Sequence, residues 1–279
     1  MAEKKSILIV EDDPAVVQQL LELMGHEVYS ISIATDGIDA FEKLRQDKYD
    51  LLICDIWIPG MSGFELLAAT RELPEQMNVI IMTADDTPAT MMKAVREQAH
   101  HFVNKPFQPE EMRTLIHATL EGPPAPPIEV VSAKPEWVEL LVPCEARSVD
   151  RIQGLLSKLK ADLPAEVRES VSQAFRELLM NAIEWGGKLD ANRQVRISYL
   201  RAKRMLIYRI ADPGLGFKFA ELAHAAVGNA SGDPVGHLRI REEMGLRPGG
   251  LGILLTKSLV DELLYNEAQN EVVFVKYLD

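Results

Sequence analysis

Residues 6–13 read SILIVEDD: the apolar run Ile7 to Val10 breaks into three consecutive acids, Glu11, Asp12 and Asp13. Apolar residues without alternation mark a strand buried on both faces, the habit of parallel sheets covered by helices. The same grammar recurs over the first 120 residues. Strands are predicted at Ser6–Val10, Val28–Ile33, Leu51–Cys54, Val79–Met82 and Phe102–Val103. Helices are predicted at Pro14–Met24, Gly37–Arg45, from Gly63, at Ala89–Gln98 and at Pro109–Leu120. Five strands alternating with five helices predict an α/β, doubly wound parallel sheet, whose functional crevice lies at the carboxyl ends of its strands. The first strand ends in Glu11 and Asp12, the third in Asp55 and the fourth in Thr83, and the fifth leads to Lys105-Pro106. Clustered carboxylates repel one another unless a cation sits among them, and hard oxygen donors suit Mg²⁺. A lysine and a threonine hydroxyl opposite them can hold an anion, which makes a site for phosphoryl transfer to a carboxylate.

Length and charge set the surroundings. A chain of 279 residues has room for two domains, and its 47% hydrophobic and 26% charged content is that of globular proteins. The net charge of −12 is uneven: residues 1–120 hold 10 basic and 20 acidic side chains, and residues 121–279 hold 20 and 22. An acidic first half and a balanced second half argue against a nucleic-acid footprint, which needs clustered Lys and Arg. Cys54 and Cys144 are too few for a disulfide framework and fit a reducing compartment. No secretory leader or 18-residue apolar span is read, so a cytoplasmic protein with no membrane partner is expected. His100-His101 and Met91-Met92 are read as structural residues rather than ligands.

The run GPPAPP at 122–127 cannot continue a helix and makes a semi-rigid spacer. It predicts domains at 1–121 and 137–279 with a linker at 122–136. The second domain reads as an α+β sandwich, with strands at Trp137–Val142, Val195–Arg201, Met205–Ala211 and Val272–Tyr277. Helices are predicted at Arg147–Leu159, at Pro164–Trp185 capped by Asp162, and at Leu251–Leu263. Three motifs sit on these elements. Glu177 and Asn181, four apart, share a helix face, where the amide oxygen can ligate Mg²⁺ and the carboxylate can accept a proton. Asp212-Pro-Gly-Leu-Gly216 follows a strand, and an Asp at such a turn can accept a hydrogen bond from an exocyclic amine. Gly249-Gly-Leu-Gly252 opens a helix, whose free N–H groups bind phosphate.

With the motifs IVEDD, DIWIPGMSG, IMTA and FVNKPF, residues 5–120 resemble the response-regulator receiver family, of flavodoxin-like fold. The resemblance implies that Asp55 accepts the phosphoryl group. Asp12, Asp55 and the Trp57 backbone carbonyl would ligate Mg²⁺ with Glu11 in support, Thr83 and Lys105 would bind phosphoryl oxygens, and Phe102 would be the aromatic switch. With ELLMNAIEWG and GGLGILLTKSLVDEL, residues 137–279 resemble the histidine-kinase-like ATPases, and within them the anti-sigma-factor serine kinases of partner-switching systems. That implies Mg²⁺ on Asn181, Glu177 as general base and Asp212 as reader of the adenine of ATP. Gly214, Gly216, Gly249, Gly250 and Gly252 would supply nucleotide-binding backbone, Arg247 a phosphate contact, and Phe217–Pro248 a nucleotide lid. Trp185 departs from a common His, and Asn270-Glu271 from a common Gly-Thr.

The expected function is therefore a two-component response regulator controlling an ATP-dependent serine/threonine kinase. The alternative is a non-catalytic nucleotide-binding module that sequesters a protein. The implied partners are a cognate sensor histidine kinase, an anti-sigma antagonist or a sigma factor, and a second copy of the chain in a homodimer.

Overall fold

The computed structural model describes residues 4–25, 28–73, 77–85, 87–97, 99–121, 126–134, 136–160, 162–218, 225–226, 236–243 and 250–278. The chain forms two compact units, Met1–Pro126 and Pro127–Asp279.

The first unit is an all-parallel sheet of β1 (Lys5–Val10), β2 (Tyr29–Ala34), β3 (Leu51–Asp55), β4 (Asn78–Thr83) and β5 (His101–Asn104), in the order β2-β1-β3-β4-β5. This is the flavodoxin-like order, with its switch point between β1 and β3. The helices are α1 (Pro14–Met24), α2 (Gly37–Gln46), α3 (Gly63–Thr70), α4 (Pro88–Arg96) and α5 (Pro109–Leu120). Successive strand residues serve opposite faces of the sheet. Ile7, Ile9, Ile53 and Met82 pack with α1 and α5 through Leu20, Met112 and Ile116. Leu8, Val10, Cys54 and Ile81 pack with α2 and α3 through Leu44, Phe64 and Leu67. Both faces are covered, so the interiors of the central strands are unbroken apolar runs. Met91 and Met92 are buried, and the His100 imidazole accepts the Val79 N–H at 3.0 Å, which are the structural roles expected of them.

The second unit is a six-stranded antiparallel sheet in the order β10-β11-β9-β8-β7-β6. Its strands are β6 (Glu129–Lys134), β7 (Trp137–Pro143), β8 (Gln194–Ala202), β9 (Met205–Ala211), β10 (Glu262–Tyr265) and β11 (Glu271–Tyr277). Its helices are α6 (Ala146–Lys158), α7 (Ala165–Asn181), α8 (Gly236–Glu243) and α9 (Gly252–Leu259). The inner face centres on Tyr208, stacked on Phe274 at 4.7 Å and tilted against Phe175 of α7 at 5.4 Å.

Four sequence expectations need correction. Residues 129–134, expected in the linker, form β6 and pair with β7; as an edge strand rich in polar residues, β6 lacks a buried-strand pattern. The helix expected to reach Leu263 ends at Leu259. Val260 turns extended at φ −117°, and β10 follows, paired with β11, with no Gly or Pro to mark the change. Asp162 does not cap α7, whose first turn follows Pro164 without a side-chain cap; it receives two hydrogen bonds from Arg201, at 2.8 and 2.6 Å. The helix expected through Trp185 is α-helical only to Asn181 and closes as a π-turn over Ala182–Gly186.

One core group works against stability. Lys160 is 2% exposed, donates to the Ser172 hydroxyl at 3.0 Å and lies 5.8 Å from the Tyr208 ring. Burial lowers its pKa to about 8 from 10.5. Between those values the unfolded chain holds a proton that the native one lacks, so unfolding free energy rises with pH across that window. Lys160→Met should therefore stabilise the unit at pH 7, by about 2–3 kcal/mol, and the gain should shrink as the pH climbs past 8. Urea unfolding in a Trp57→Phe background, where Trp137 and Trp185 report on this unit alone, tests it. A less stable Lys160→Met at pH 7 contradicts it.

Candidate functional site

In the first unit β1 and β3 bring their terminal acids together. One carboxylate oxygen from each of Glu11, Asp12 and Asp55 lies within 4.8 Å of the others. Glu11 and Asp55 are buried and Asp12 is exposed. Asp13, the third acid of the run, points away as the cap of α1 and accepts the Ala15 N–H at 2.8 Å. Lys105 comes in from the end of β5 and donates to both Glu11 and Asp55. Burial pushes the Glu11 carboxyl up, outweighing the pull of Lys105. Burial opposes the charge of Lys105, but the hydrogen bonds and charges of Asp55 and Glu11 outweigh it and hold the ammonium above its usual range. Three hard oxygen donors held this close together fit Mg²⁺. The Trp57 N–H donates to Asp55 Oδ1 at 3.2 Å. Thr83 is fully buried at the end of β4, and its hydroxyl accepts the Asp85 N–H at 3.0 Å. Phe102, half-buried on β5, packs against the core.

In the second unit α7 and the sheet enclose a cavity of about 750 Å³. Glu177 and Asn181 line it from α7, Asp212, Gly214 and Gly216 from the turn after β9, and Gly250 and Gly252 from the start of α9. Two glycines register these parts. A β-carbon on Gly252 would lie 2.5 Å from Glu177 Oε2, and one on Gly186 would lie 2.2 Å from Asp212 Cγ and Oδ1. The helix therefore meets α9 at Glu177 and the Asp212 turn at Gly186. Nine residues separate the two contacts along α7 and its closing π-turn, about 13 Å at most at a rise of about 1.5 Å per residue.

The Asp212 end is braced from Asn270, the residue before β11. The Asp212 N–H donates to the Asn270 carbonyl at 2.9 Å, and the Asn270 amide donates to the Gly214 carbonyl at 3.0 Å. Gly216 adopts φ +85°, and a β-carbon there would meet the Ala268 carbonyl at 1.7 Å. Asp212 Oδ1 accepts the Gly214 N–H at 2.7 Å. Burial raises the Asp212 pKa, against the pull of that bond and of Arg193. A half-buried carboxylate at one end, an amide between, and glycine backbone at a helix start beside the Glu177 carboxylate at the other suit a ligand with an amine at one end and anions at the other.

Arg247 and Gly249, expected at the phosphate end, lie outside the described residues, as does most of Phe217–Pro248. Three contributors were not assigned roles from sequence. Gly186 stands inside the ELLMNAIEWG motif, and its place five residues after Asn181 was the available signal. Arg193, which donates to the Pro213 carbonyl, and Asn270 carry no pattern of their own. Trp185 and Glu271 also line the cavity, with Glu271 paired to Arg209 at 2.6 and 2.7 Å.

Comparison with known proteins finds a family for each unit. Residues 7–117 match the family model of the response regulator receiver domain, and residues 142–276 that of the histidine kinase-like ATPase domain. The DNA-binding response regulator MtrA of Mycolicibacterium smegmatis is 27% identical over 204 residues, covering 72% of this chain and 88% of that protein. The uncharacterized transcriptional regulatory protein YkoG of Bacillus subtilis is 34% identical over 118 residues, 42% of this chain and 52% of that protein. The crystal structure of a CheY-like receiver domain protein from Methanospirillum hungatei matches 43% of this chain and 95% of its own, at 27% identity and a TM-score of 0.41. The chain thus joins a response regulator receiver domain to a histidine kinase-like ATPase domain.

Proposed function

We propose that the chain is a two-component response regulator that takes a phosphoryl group on Asp55 and thereby controls an ATP-dependent serine/threonine protein kinase in its second domain, within an anti-sigma-factor partner switch. The observation that supports this most is the two-ended cavity, with Asp212 at one end and Glu177 beside the glycine-rich helix start at the other. Under this reading Asp12, Asp55 and the Trp57 carbonyl hold Mg²⁺ in the receiver with Glu11 in support, and Thr83 and Lys105 take the phosphoryl oxygens. Asn181 holds Mg²⁺ with ATP, Asp212 accepts from the adenine amine, and Arg247 and Gly249 complete the phosphate end. A serine hydroxyl must lose its proton as it attacks phosphorus. Glu177 takes that proton while the bond from the γ-phosphorus to ADP breaks. The partners are a sensor histidine kinase upstream and an anti-sigma antagonist or sigma factor downstream. The DNA binding in the name of MtrA is not carried over, because the output span here fits an ATPase and lacks a strongly basic stripe.

Three measurements test the reading. With a small acyl phosphate and Mg²⁺, the wild-type protein should gain one phosphoryl group that Asp55→Asn does not; an equal gain by the mutant sinks the receiver assignment. Asp212→Asn should weaken ATP binding by about 10- to 150-fold in calorimetry, the worth of a charge-assisted hydrogen bond. The same loss should appear in the wild type on acidification, at a pH above the ordinary carboxylate range, because the raised pKa protonates the acceptor early. Unchanged affinity in the mutant excludes the pocket assignment. Glu177→Ala should keep ATP affinity and lose about 10²–10⁴-fold in phosphate transfer to an anti-sigma antagonist. If wild type binds ATP yet transfers nothing, the domain sequesters its partner instead.

A further inference from the structure

Asp212 gives one end of the cavity an acceptor for an exocyclic amine, and a purine with such an amine also presents ring nitrogens that accept. An acceptor buried without a donor costs affinity, so the end that holds Asp212 needs a donor as well. Two cations line the cavity among the described residues, Arg193 and Lys188. Arg193 is engaged, donating to the Pro213 carbonyl. The Asn270 amide is engaged too, donating to the Gly214 carbonyl at 3.0 Å, and the Gly214 N–H is taken by Asp212. The Lys188 ammonium makes no hydrogen bond or ion pair among the described residues. An unpaired lysine on an open surface is ordinary. Lys188 differs in its backbone. It stands at φ +59° and Leu189 at φ +55°, two successive left-handed residues without a glycine. That conformation is costly and persists only where the surroundings over-determine it. Here they do. The Leu189 N–H donates to the Ile183 carbonyl at 3.0 Å, the Arg193 N–H to the Asp190 carbonyl at 2.9 Å, and the Cys144 N–H to the Arg193 carbonyl at 2.9 Å. Gly187 packs so closely on Cys144 that a β-carbon would lie 2.2 Å from the thiol sulfur. The chain is thus pinned on both sides of Lys188, two residues and at most about 7 Å from the Gly186 that touches Asp212.

We propose that Lys188 reads the base together with Asp212: its ammonium donates to N1 or N7, the ring nitrogens that flank the amine of adenine, while Asp212 accepts from that amine. The inference rests on the reading of the cavity as an ATP site. A donor and an acceptor side by side match the amine and the ring nitrogen next to it. The flexible four-carbon stem carries the ammonium from the pinned loop to the ligand. The residues around the start of β11 leave that nitrogen to another element, because the Glu271 carboxylate is paired with Arg209 and the Asn270 amide with the Gly214 carbonyl. The competing duty of a lysine in such a cavity is a contact with the polyphosphate, so the test must separate base from phosphate.

Competition for a fluorescent ATP analogue on the full chain makes the separation. Lys188→Met removes the ammonium and keeps most of the stem. Lys188→Gly removes the whole side chain and suits the left-handed backbone, so it holds the fold. Each variant should weaken adenosine and ATP alike, by about 3- to 30-fold, while inorganic triphosphate competes as it does in the wild type. With either 1-deaza-ATP or 7-deaza-ATP, whichever lacks the nitrogen that Lys188 pairs with, the variants and the wild type should bind equally. Adenosine affinity left intact by both variants overturns the proposal. A loss confined to ATP and triphosphate does so as well, because it assigns Lys188 to phosphate. So does a loss that persists undiminished with both deaza analogues. Asp212→Asn keeps the two claims apart. If it costs ATP affinity and the Lys188 variants do not, the ATP reading stands and this proposal alone falls. A wild type that binds neither adenosine nor ATP overturns both.

Discussion

The Asp212 carboxylate lies against the α-carbon of Gly186, where no β-carbon fits, and that contact sets the geometry of the second domain's cavity. It fixes where α7 ends relative to β9. Since α7 is anchored on the sheet core through Phe175 and Leu178, fixing its end also fixes the positions of Glu177 and Asn181. The π-turn at Ala182–Gly186 makes the register possible: it widens the last turn so that Gly186, and not a bulkier neighbour, meets the carboxylate. At the other end Gly252 admits the Glu177 carboxylate in the same way. The cavity is thus a ruler with two glycine stops, and Asn270, the residue before β11, braces one of them.

The receiver obeys an electrostatic constraint instead. Parallel topology forces the ends of β1, β3 and β5 to one edge, and the chain puts three acids and a lysine there. Lys105 bridges Glu11 and Asp55 and so compensates part of the repulsion. Under the proposed function, a phosphoryl group arriving at Asp55 would meet a site already arranged around the Lys105 ammonium.

What could be read from sequence follows from burial. The buried runs of β1, β3 and β4 announce themselves as unbroken apolar stretches, and the residues that end them then locate Glu11, Asp12, Asp55 and Thr83. Glu177, Asn181, Asp212 and Gly252 were legible because helix period and glycine turns place them. Strand β6 was not, because an edge strand buries little, and a Pro-rich stretch read as linker runs straight into it. Nor was β10, because Leu259 to Leu263 continue a helical pattern while the hydrogen bond from the Asp261 N–H to the Val275 carbonyl decides otherwise. Asp162 looked like a cap because capping is local, whereas its partner Arg201 is 39 residues away. Gly186, Arg193 and Asn270 gain their roles only from elements that tertiary packing brings beside them.

The central claim is that the cavity reads a base amine at the Gly186–Asp212 end and phosphates at the Gly252 end. The most direct test compares adenosine, inorganic triphosphate and ATP as competitors for a fluorescent ATP analogue held at the site, in the wild type and in Gly186→Ala. A methyl at Gly186 displaces Asp212 and leaves the far end of the ruler, at most about 13 Å away, untouched. The account predicts that Gly186→Ala loses affinity for adenosine and for ATP while inorganic triphosphate competes as well as before. Undiminished adenosine binding by Gly186→Ala, in a wild type that binds adenosine, contradicts it.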